Sequence, residues 1–405
     1  MDEKLRSFIM EKSRLYKDDM VRFLQDMIGI YSPSCQEGEL VKRIKEEMEK
    51  IGYDEIIIDE MGSIIGRIGK GPIKVMYDSH IDTVGVNEPE KWPLDPFKGV
   101  VKEGVVFGRG ASDNEGATAS MVYAGKVLKD VLREFPEYGK DKSFFIVGTV
   151  QEEDCDGLAL RYILENVVRD VSCVLLGECT DMGINRGHRG RMEMKLVTPG
   201  KSCHASEPER GKNAVYAMSP IVKGIEELHV RLKDDPFLGK GSIAVTKIEC
   251  RTDSLNCVPY ECTIFLDRRL TAGETKESAM EEIRQIVPDG TDYTLEILQY
   301  DTPSYTGKVL QTEKYYPTWV LEEDHPLISE AKQIYLALFQ KQPGVSKWVF
   351  STNGIASCGQ LGIPTFGLGP SREEYAHTFE DQCPVEHLEQ SCAYYTAFGL
   401  LYRTE

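Results

Sequence analysis

His80 and Asp82 stand two residues apart at the end of an apolar run, in Met76-Tyr-Asp-Ser-His80-Ile-Asp82-Thr83. Successive side chains of an extended segment alternate faces, so the two share one face. A neutral imidazole binds a cation through one ring nitrogen and gives its other N–H to an acceptor, and an acid two residues on is one local partner. His-x-Asp also arises by chance, and alone it describes a surface or hydrogen-bonded core pair equally well. Other apolar runs end the same way. The run 144–150 is followed by Gln151-Glu152-Glu153-Asp154, the run 171–176 by Gly177-Glu178, and the run 363–368 by a Gly/Pro loop that reaches His377. In open α/β sheets ligands bind beyond the carboxyl ends of the strands. These runs therefore deliver imidazoles and carboxylates to one sheet edge, where they could hold metal ions.

Three acids need separate weighing. Asp113 closes Val105-Val-Phe-Gly-Arg-Gly-Ala-Ser-Asp113 just before a helical pattern carrying Val122, Val127, Leu128 and Val131. It reads either as a helix N-cap or as a carboxylate shared by two metal ions, brought close by the Gly108-Arg-Gly turn. Glu152 and Glu153 are adjacent in a non-helical segment, so they project in different directions. One can ligate while the other stays free to act as a general base. An acidic Glu-Glu-Asp run is often a solvated turn, but here it follows the most hydrophobic strand candidate.

The elements that must position these residues read as α/β. Apolar positions recur at helical spacing from about residue 3 to residue 30 and again at Leu40, Val41, Ile44, Met48 and Ile51, with Gly52 as a stop. Strand candidates at 55–59 and 63–68 precede the His80 strand. With 405 residues, 41% hydrophobic and 28% charged, the chain suggests two globular domains. A net charge of -18 argues against nucleic acid or an anionic membrane surface as partner. No apolar run approaches the ~18 residues that span a bilayer. The start, Met1-Asp-Glu-Lys-Leu-Arg6, has no signal-peptide pattern. The 11 cysteines, an odd number with no C-x-x-C spacing, fit reduced thiols, so a cytoplasmic location is expected.

Taken in order, His80-x-Asp82, Gly108-Arg-Gly-x-x-Asp113, Glu152-Glu153, Gly177-Glu178-Cys-Thr180, His204-x-Ser-x-Pro-x-x-Gly-x-Asn213-Ala and His377 resemble the co-catalytic di-zinc aminoacylase/carboxypeptidase family. That family includes acetylornithine deacetylase, succinyl-diaminopimelate desuccinylase, glutamate carboxypeptidase and peptidase T. The match runs from about residue 30 to the end, and it is most similar to a branch described as selenium-metabolism-linked hydrolases. The resemblance implies that His80 and Glu178 hold one zinc, Glu153 and His377 the other, and that Asp113 bridges them. Nitrogen and oxygen ligands also accept Co or Mn. It further implies that Asp82 orients His80 and that Glu152 is the general base. Glu152 would take a proton from a metal-bridging water and return it to the leaving amine.

The middle of the chain alternates as strand 191–198, helix 213–232, strands 242–248 and 260–269, helix 275–287 and strand 293–298. This is the β-α-β-β-α-β order of a ferredoxin-like unit, with Pro220 expected to kink or shorten its first helix. The expected fold is thus a zinc-exopeptidase-like catalytic domain, 1–190 and 306–405, with a mixed sheet flanked by helices, and an inserted lid, 191–305. By resemblance the lid pairs two subunits into a homodimer, and His204 crosses to the partner's site to stabilise the oxyanion. Asn256 and Arg269 match the family's Asn-x-x-Pro and Asp-x-Arg elements and would contact a substrate carboxylate. Arg268 should face the other side of its strand. Thr352-Asn353 stands where relatives often have Thr-Asp. It is expected at the substrate, with Asn353 favouring a neutral amide or carbamoyl group over an amine. Glu380 or Asp381 would fix the His377 imidazole.

Together these readings describe a metal-dependent hydrolase that cleaves the amide of an N-acyl or N-carbamoyl amino acid, or of a small peptide with a free carboxylate. Two rivals are an exopeptidase that recognises a free α-amine and a non-catalytic metal-binding relative.

Overall fold

The computed structural model describes residues 1–403. Helical periodicity at the start resolves into α1 (Glu3–Leu15) and α2 (Lys17–Ile28), separated at Tyr16, each burying its apolar stripe: Leu5 and Ile9 in the first, Met20, Phe23, Leu24 and Met27 in the second. α3 (Gly38–Ile51) buries Leu40, Val41, Ile44 and Met48 and stops at Gly52, whose φ of 85° is open to glycine without a Cβ penalty. Next come β1 (Glu55–Ile58), β2 (Ile64–Gly69), β3 (Ile73–His80), α4 (Glu115–Glu134), β4 (Lys142–Thr149), α5 (Leu158–Asn166), β5 (Cys173–Leu176) and β6 (Ile184–Asn185).

The chain then builds a second unit from β7 (Gly190–Pro199), α6 (Ala214–Arg231), β8 (Ser242–Arg251), β9 (Glu261–Leu270), α7 (Lys276–Ile286) and β10 (Thr294–Ile297). It returns through α8 (Pro326–Phe339), β11 (Val345–Ser346), β12 (Thr365–Gly367) and α9 (Val385–Leu401). Each unit has its own hydrophobic core. One is formed by residues before Met192 and after Ile297, the other by β7, α6, β8, β9, α7 and β10.

The first unit is an 8-stranded mixed sheet in the order β1-β2-β4-β3-β5-β12-β6-β11. Its centre, β4-β3-β5-β12, is parallel, and these strands are buried along most of their length, as a sheet covered on both faces requires. α4 packs on β2, β3 and β4 and against α9, which is buried along nearly all of its length. Parallel strands point their carboxyl ends the same way, so the segments after His80, Thr149, Leu176 and Gly367 emerge together. At one of these exits the backbones nearly touch: a Cβ on Gly369 would lie 1.9 Å from the carbonyl oxygen of Gly177. Only glycine lets the loop leading to His377 lie against the residue before Glu178.

The second unit is an antiparallel sheet in the order β8-β9-β7-β10, the ferredoxin-like arrangement, with α6 packed against β7, β8, β9 and α7. Pro220 does not shorten α6, which runs 18 residues through it. The proline removes one donor to the carbonyl of Tyr216, a residue 74% exposed, so water can satisfy that carbonyl, and Ser219 Oγ donates to the neighbouring Val215 carbonyl at 2.8 Å.

Candidate metal centre and active-site cleft

His80 is the last residue of β3 and is fully buried. Its Nδ1 donates to the main-chain oxygen of Asp82 at 2.9 Å, which fixes the tautomer and turns Nε2 outward. Nε2 lies 2.8 Å from Asp113 Oδ1, 3.7 Å from Glu178 Oε1 and 4.0 Å from Glu152 Oε2. From the open side, His377 places its Nε2 3.2 Å from the other Asp113 oxygen and 3.0 Å from Glu153 Oε2. Asp113 therefore presents each carboxylate oxygen to a different imidazole. It is not the helix cap: the residue at the N-cap of α4 is Asn114, and the Asp113–Asn114 peptide is cis.

The electrostatics follow from this crowding. Burial opposes charge on His80, but Glu178 and Glu152 beside it, with the hydrogen bond to Asp113 and the nearby Asp82 carboxylate, hold its pKa well above the ordinary imidazole value. Hydrogen bonds to Asp113 and Glu153 raise His377 to about 10. Burial pushes Glu152 and Glu178 well above the usual carboxylate range. Asp113 goes the other way, because the hydrogen bonds from His377 and His80 outweigh its burial.

Carboxylates gathered this closely in a buried place call for a cation. Ligand atoms of His80, Asp113 and Glu153 all lie within 4.8 Å of one another, and Glu178 Oε2 is buried with no hydrogen-bond partner among the described residues. In a tetrahedral site with bonds of ~2.0 Å, ligand atoms sit roughly 3.3 Å apart. The observed separations of 2.8 and 3.7 Å from His80 Nε2 bracket that value. The residues fit a divalent cation with nitrogen and oxygen ligands.

Asp82 contributes differently from the sequence expectation. Its carboxylate stands 3.6 Å from His80 Nδ1, beyond hydrogen-bond length, so its main-chain carbonyl is what orients the imidazole. The carboxylate accepts instead from the backbone N–H groups of Glu152 and Glu153, both at 3.1 Å, and from Ser34 Oγ at 2.6 Å. Asp82 thus pins the turn that carries both glutamates. Glu37 assists it, accepting from the Gln151 N–H at 3.0 Å. Asp381 departs from expectation as well: it does not fix His377. Its oxygens accept from Gly110 N, Ser112 N and Ser112 Oγ at 2.9, 2.8 and 2.7 Å and pair with Arg109 at 3.0 Å, so it shapes the turn that presents Asp113.

Around the cluster opens a cleft of about 310 Å³ with Arg191, Arg269, Asp156, Phe350 and Ser351 among its walls. Arg269 lines this cleft and is paired with Asp267 at 2.8 Å, while Arg268 turns to the opposite face and is buried against Glu274 and Glu282. His204 and Asn256 are not in this cleft. They lie together on exposed loops of the second unit, where the Ala205 N–H donates to the Asn256 carbonyl at 2.8 Å. Residues that sequence reading missed are Arg191 and Asp156 on the wall and His188 behind it. His188 is a buried imidazole pushed down to about 4 by burial. Its Nε2 accepts from Trp319 Nε1 and the Thr352 N–H at 2.7 and 3.0 Å.

Thr352 and Asn353 require a correction. Both are buried with their polar groups turned inward, and the cleft wall at this point is formed by Phe350 and Ser351. Asn353 Nδ2 donates to Asp78 Oδ2 and Thr149 Oγ1, both at 2.9 Å, and its Oδ1 accepts from the Gly157 N–H at 2.7 Å. It ties strands together and says nothing about a substrate amine. An aspartate there would lose the donor and face buried Asp78. Asn353→Asp is therefore expected to destabilise the fold by about 2–4 kcal/mol, read as a lower melting temperature, with the substrate preference of the folded fraction unchanged. A changed preference at unchanged stability would contradict this account.

Residues 186–292 match the Peptidase dimerisation domain family. Across nearly the whole chain, YgeY of Escherichia coli strain K12, a protein of uncharacterised function, is 46% identical over 393 residues, covering 97% of this chain and 96% of that protein. A succinyl-diaminopimelate desuccinylase of Magnetococcus marinus is 29% identical over 271 residues, 64% of this chain and 70% of its own length. Among solved structures, the YxeP protein of Bacillus subtilis, described as a dinuclear metal-binding peptidase of the M20 family, superposes with a TM-score of 0.71 at 16% identity over 96% of this chain and 98% of that one. The chain belongs to the M20 family of metallopeptidases and aminoacylases. As an M20 protein it is a hydrolase, and its relatives imply use of a divalent metal. Among the described residues no helix is long and apolar enough to cross a membrane.

Proposed function

We propose that this M20 hydrolase cleaves the amide bond of an N-acyl or N-carbamoyl amino acid, or of a short peptide with a free carboxylate, with a pair of divalent cations, zinc first among them. His80 and Glu178 would hold one ion and Glu153 and His377 the other, with Asp113 shared. The observation that carries this reading is Asp113 itself, whose two oxygens lie 2.8 and 3.2 Å from two different imidazoles. When bound, the ions supply Lewis acidity to a water and to the scissile carbonyl.

The chain's own groups supply the rest. Glu152 is held by Asp82 through its backbone N–H, is buried, and faces the cluster without being locked in a short contact with it: its nearest imidazole nitrogen is 4.0 Å away. It accepts the proton of the attacking water and returns it to the leaving nitrogen. Arg269 binds the substrate carboxylate with its fork of donors. His204 Nδ1 accepts from Ser206 N and Oγ at 3.1 and 2.7 Å, which leaves the ring proton on Nε2 of this exposed residue as a donor suited to an oxyanion.

That donor does not line its own cleft, so the reading requires a homodimer in which each lid lends His204, and with it Asn256, to the other subunit. β8 is an unpaired edge of the lid sheet with Ile248 58% exposed, a surface open to a second copy. Mixing inactive His204→Ala protein with inactive Glu152→Ala protein under exchange conditions is expected to recover activity that neither has alone, since the hybrid contains one complete site. Persistent inactivity of a verified hybrid dimer would show that His204 does not act across the interface.

The function itself is tested by quantifying bound metal per chain and assaying N-acetyl, N-succinyl and N-carbamoyl amino acids beside dipeptides. About two ions per chain with turnover of an N-acylated or N-carbamoylated amino acid supports the reading. Hydrolysis restricted to peptides with a free α-amine would replace it with an exopeptidase, and a protein that takes up no metal would end it.

A further inference from the structure

Arg269 has a companion that the sequence did not disclose. On the antiparallel pair β7–β9, Arg191 is directly opposite Arg269, so the two side chains leave the same face of the lid sheet as nearest cross-strand neighbours. Both line the cleft that holds the metal-ligand cluster. Like charges placed directly opposite each other are unfavourable in a sheet, and the neighbouring acids compensate them only in part. Arg269 is engaged by Asp267 from its own strand at 2.8 Å. Arg191 makes two long ion pairs, to Asp156 at 3.4 Å and from its Nε to Glu193 at 3.9 Å, and lies over the Tyr316 ring at 4.5 Å, while its buried Nε has no hydrogen-bond acceptor among the described residues. Arg268, next to Arg269 on β9 but facing the other way, is instead paired with two acids outside the cleft, Glu274 at 2.6 Å and Glu282 at 3.0 Å. Two guanidinium groups with spare donors, held side by side at a cleft wall, form a receptor for an anion with two oxygens.

We propose that Arg191 and Arg269 act as a paired clamp on the substrate carboxylate, with Arg191 the residue that makes the free carboxylate obligatory. The clamp deepens the hydrolase reading above and rests on it for the identity of the carboxylate as the substrate's own. Asp156 and Tyr316 hold the Arg191 guanidinium by an ion pair and by its flat face, which leaves the remaining N–H edge for the ligand. A lysine could supply the charge at this position but not the planar fork, nor the stacking on Tyr316. The two arginines sit on adjacent strands of one rigid sheet, so their spacing is set by strand pairing rather than by a mobile loop.

The test compares metal-loaded wild type with Arg191→Met, Arg191→Lys and Arg269→Ala on one N-acyl amino acid and on its C-terminal carboxamide. Arg191→Met keeps an apolar stem over Tyr316, and metal content with thermal melting verifies that each variant is folded. For wild type, the carboxylate form is expected to show kcat/KM at least ~100-fold above the carboxamide. Arg191→Met should shrink that preference by about 10- to 100-fold, mainly through KM, and Arg191→Lys should recover only part of it. Arg269→Ala should weaken the same preference, and the double variant should lose less than the product of the single losses, because both act on one group. An unchanged carboxylate preference in folded Arg191→Met overturns the clamp. If wild type hydrolyses none of these compounds, the proposed reaction fails while the clamp is still decided by equilibrium binding of the same pair. Preferential binding of the carboxylate form that vanishes in Arg191→Met supports it, and equal binding of both forms overturns it.

Discussion

Replacing Glu152 by Gln is expected to lower kcat by roughly 10²–10⁴-fold, the range for loss of a positioned general base, while the protein keeps its metal and its fold. The carboxamide preserves shape and burial, and the residue's position is set from outside its side chain, through the Asp82 oxygen that accepts from its backbone N–H. Its carboxylate oxygen approaches His80 Nε2 only to 4.0 Å, whereas Asp113 reaches 2.8 Å. The base is thus separable from the ligands. Because only proton transfer is removed, KM should move far less than kcat. Metal analysis beside steady-state kinetics checks this. Metal loss in Glu152→Gln would make Glu152 a ligand, and retained turnover would remove it from the reaction altogether.

The complementary substitution, Asp113→Ala, is expected to lose turnover and metal together. Partners that merely touch a metal ligand are worth about 10–100-fold in affinity, so removing the carboxylate that both imidazoles address should cost more than ~100-fold. The fold should survive, because Asp113 caps no helix: the turn before it is held by Asp381 through Gly110 and Ser112, and the N-cap of α4 is Asn114. In wild type, a ligand that binds only the folded state raises the melting temperature. Asp113→Ala should melt at the same temperature with and without added zinc, whereas Glu152→Gln should still respond. An Asp113→Ala protein that retains full metal content would refute the shared-carboxylate reading. One that retains half would show that Asp113 serves a single ion.

Much of this site was legible in the chain because parallel α/β sheets obey a simple rule. A short apolar run that is buried on both faces ends at the edge where ligands bind, and the next polar residue is delivered there. His80, Glu152, Glu153 and Glu178 each stand within a few residues of such an end, so their convergence follows from strand order more than from side-chain detail. The second unit was equally readable, since alternation along β7 and β9 with helical spacing in α6 and α7 leaves a ferredoxin-like unit as the consistent arrangement. The M20 relationship agrees with this fold.

Other residues took their meaning from packing. Asn353, which sequence alone placed at the substrate, turned inward because buried Asp78 and Thr149 needed a donor and the Gly157 N–H needed an acceptor. Asp381, one residue beyond Glu380 and close to His377 in sequence, served Arg109 and the Asp113 turn instead. Arg191 carried no motif of its own, and its pairing with Arg269 exists only because antiparallel register sets residues 78 positions apart side by side. The sequence by itself determined which strands end in imidazoles and carboxylates, because periodicity and burial are local properties of the chain. Only the tertiary structure decided which polar groups face the cleft and which satisfy the interior, because a buried donor or acceptor goes where a partner is, and partners come from elements distant in sequence.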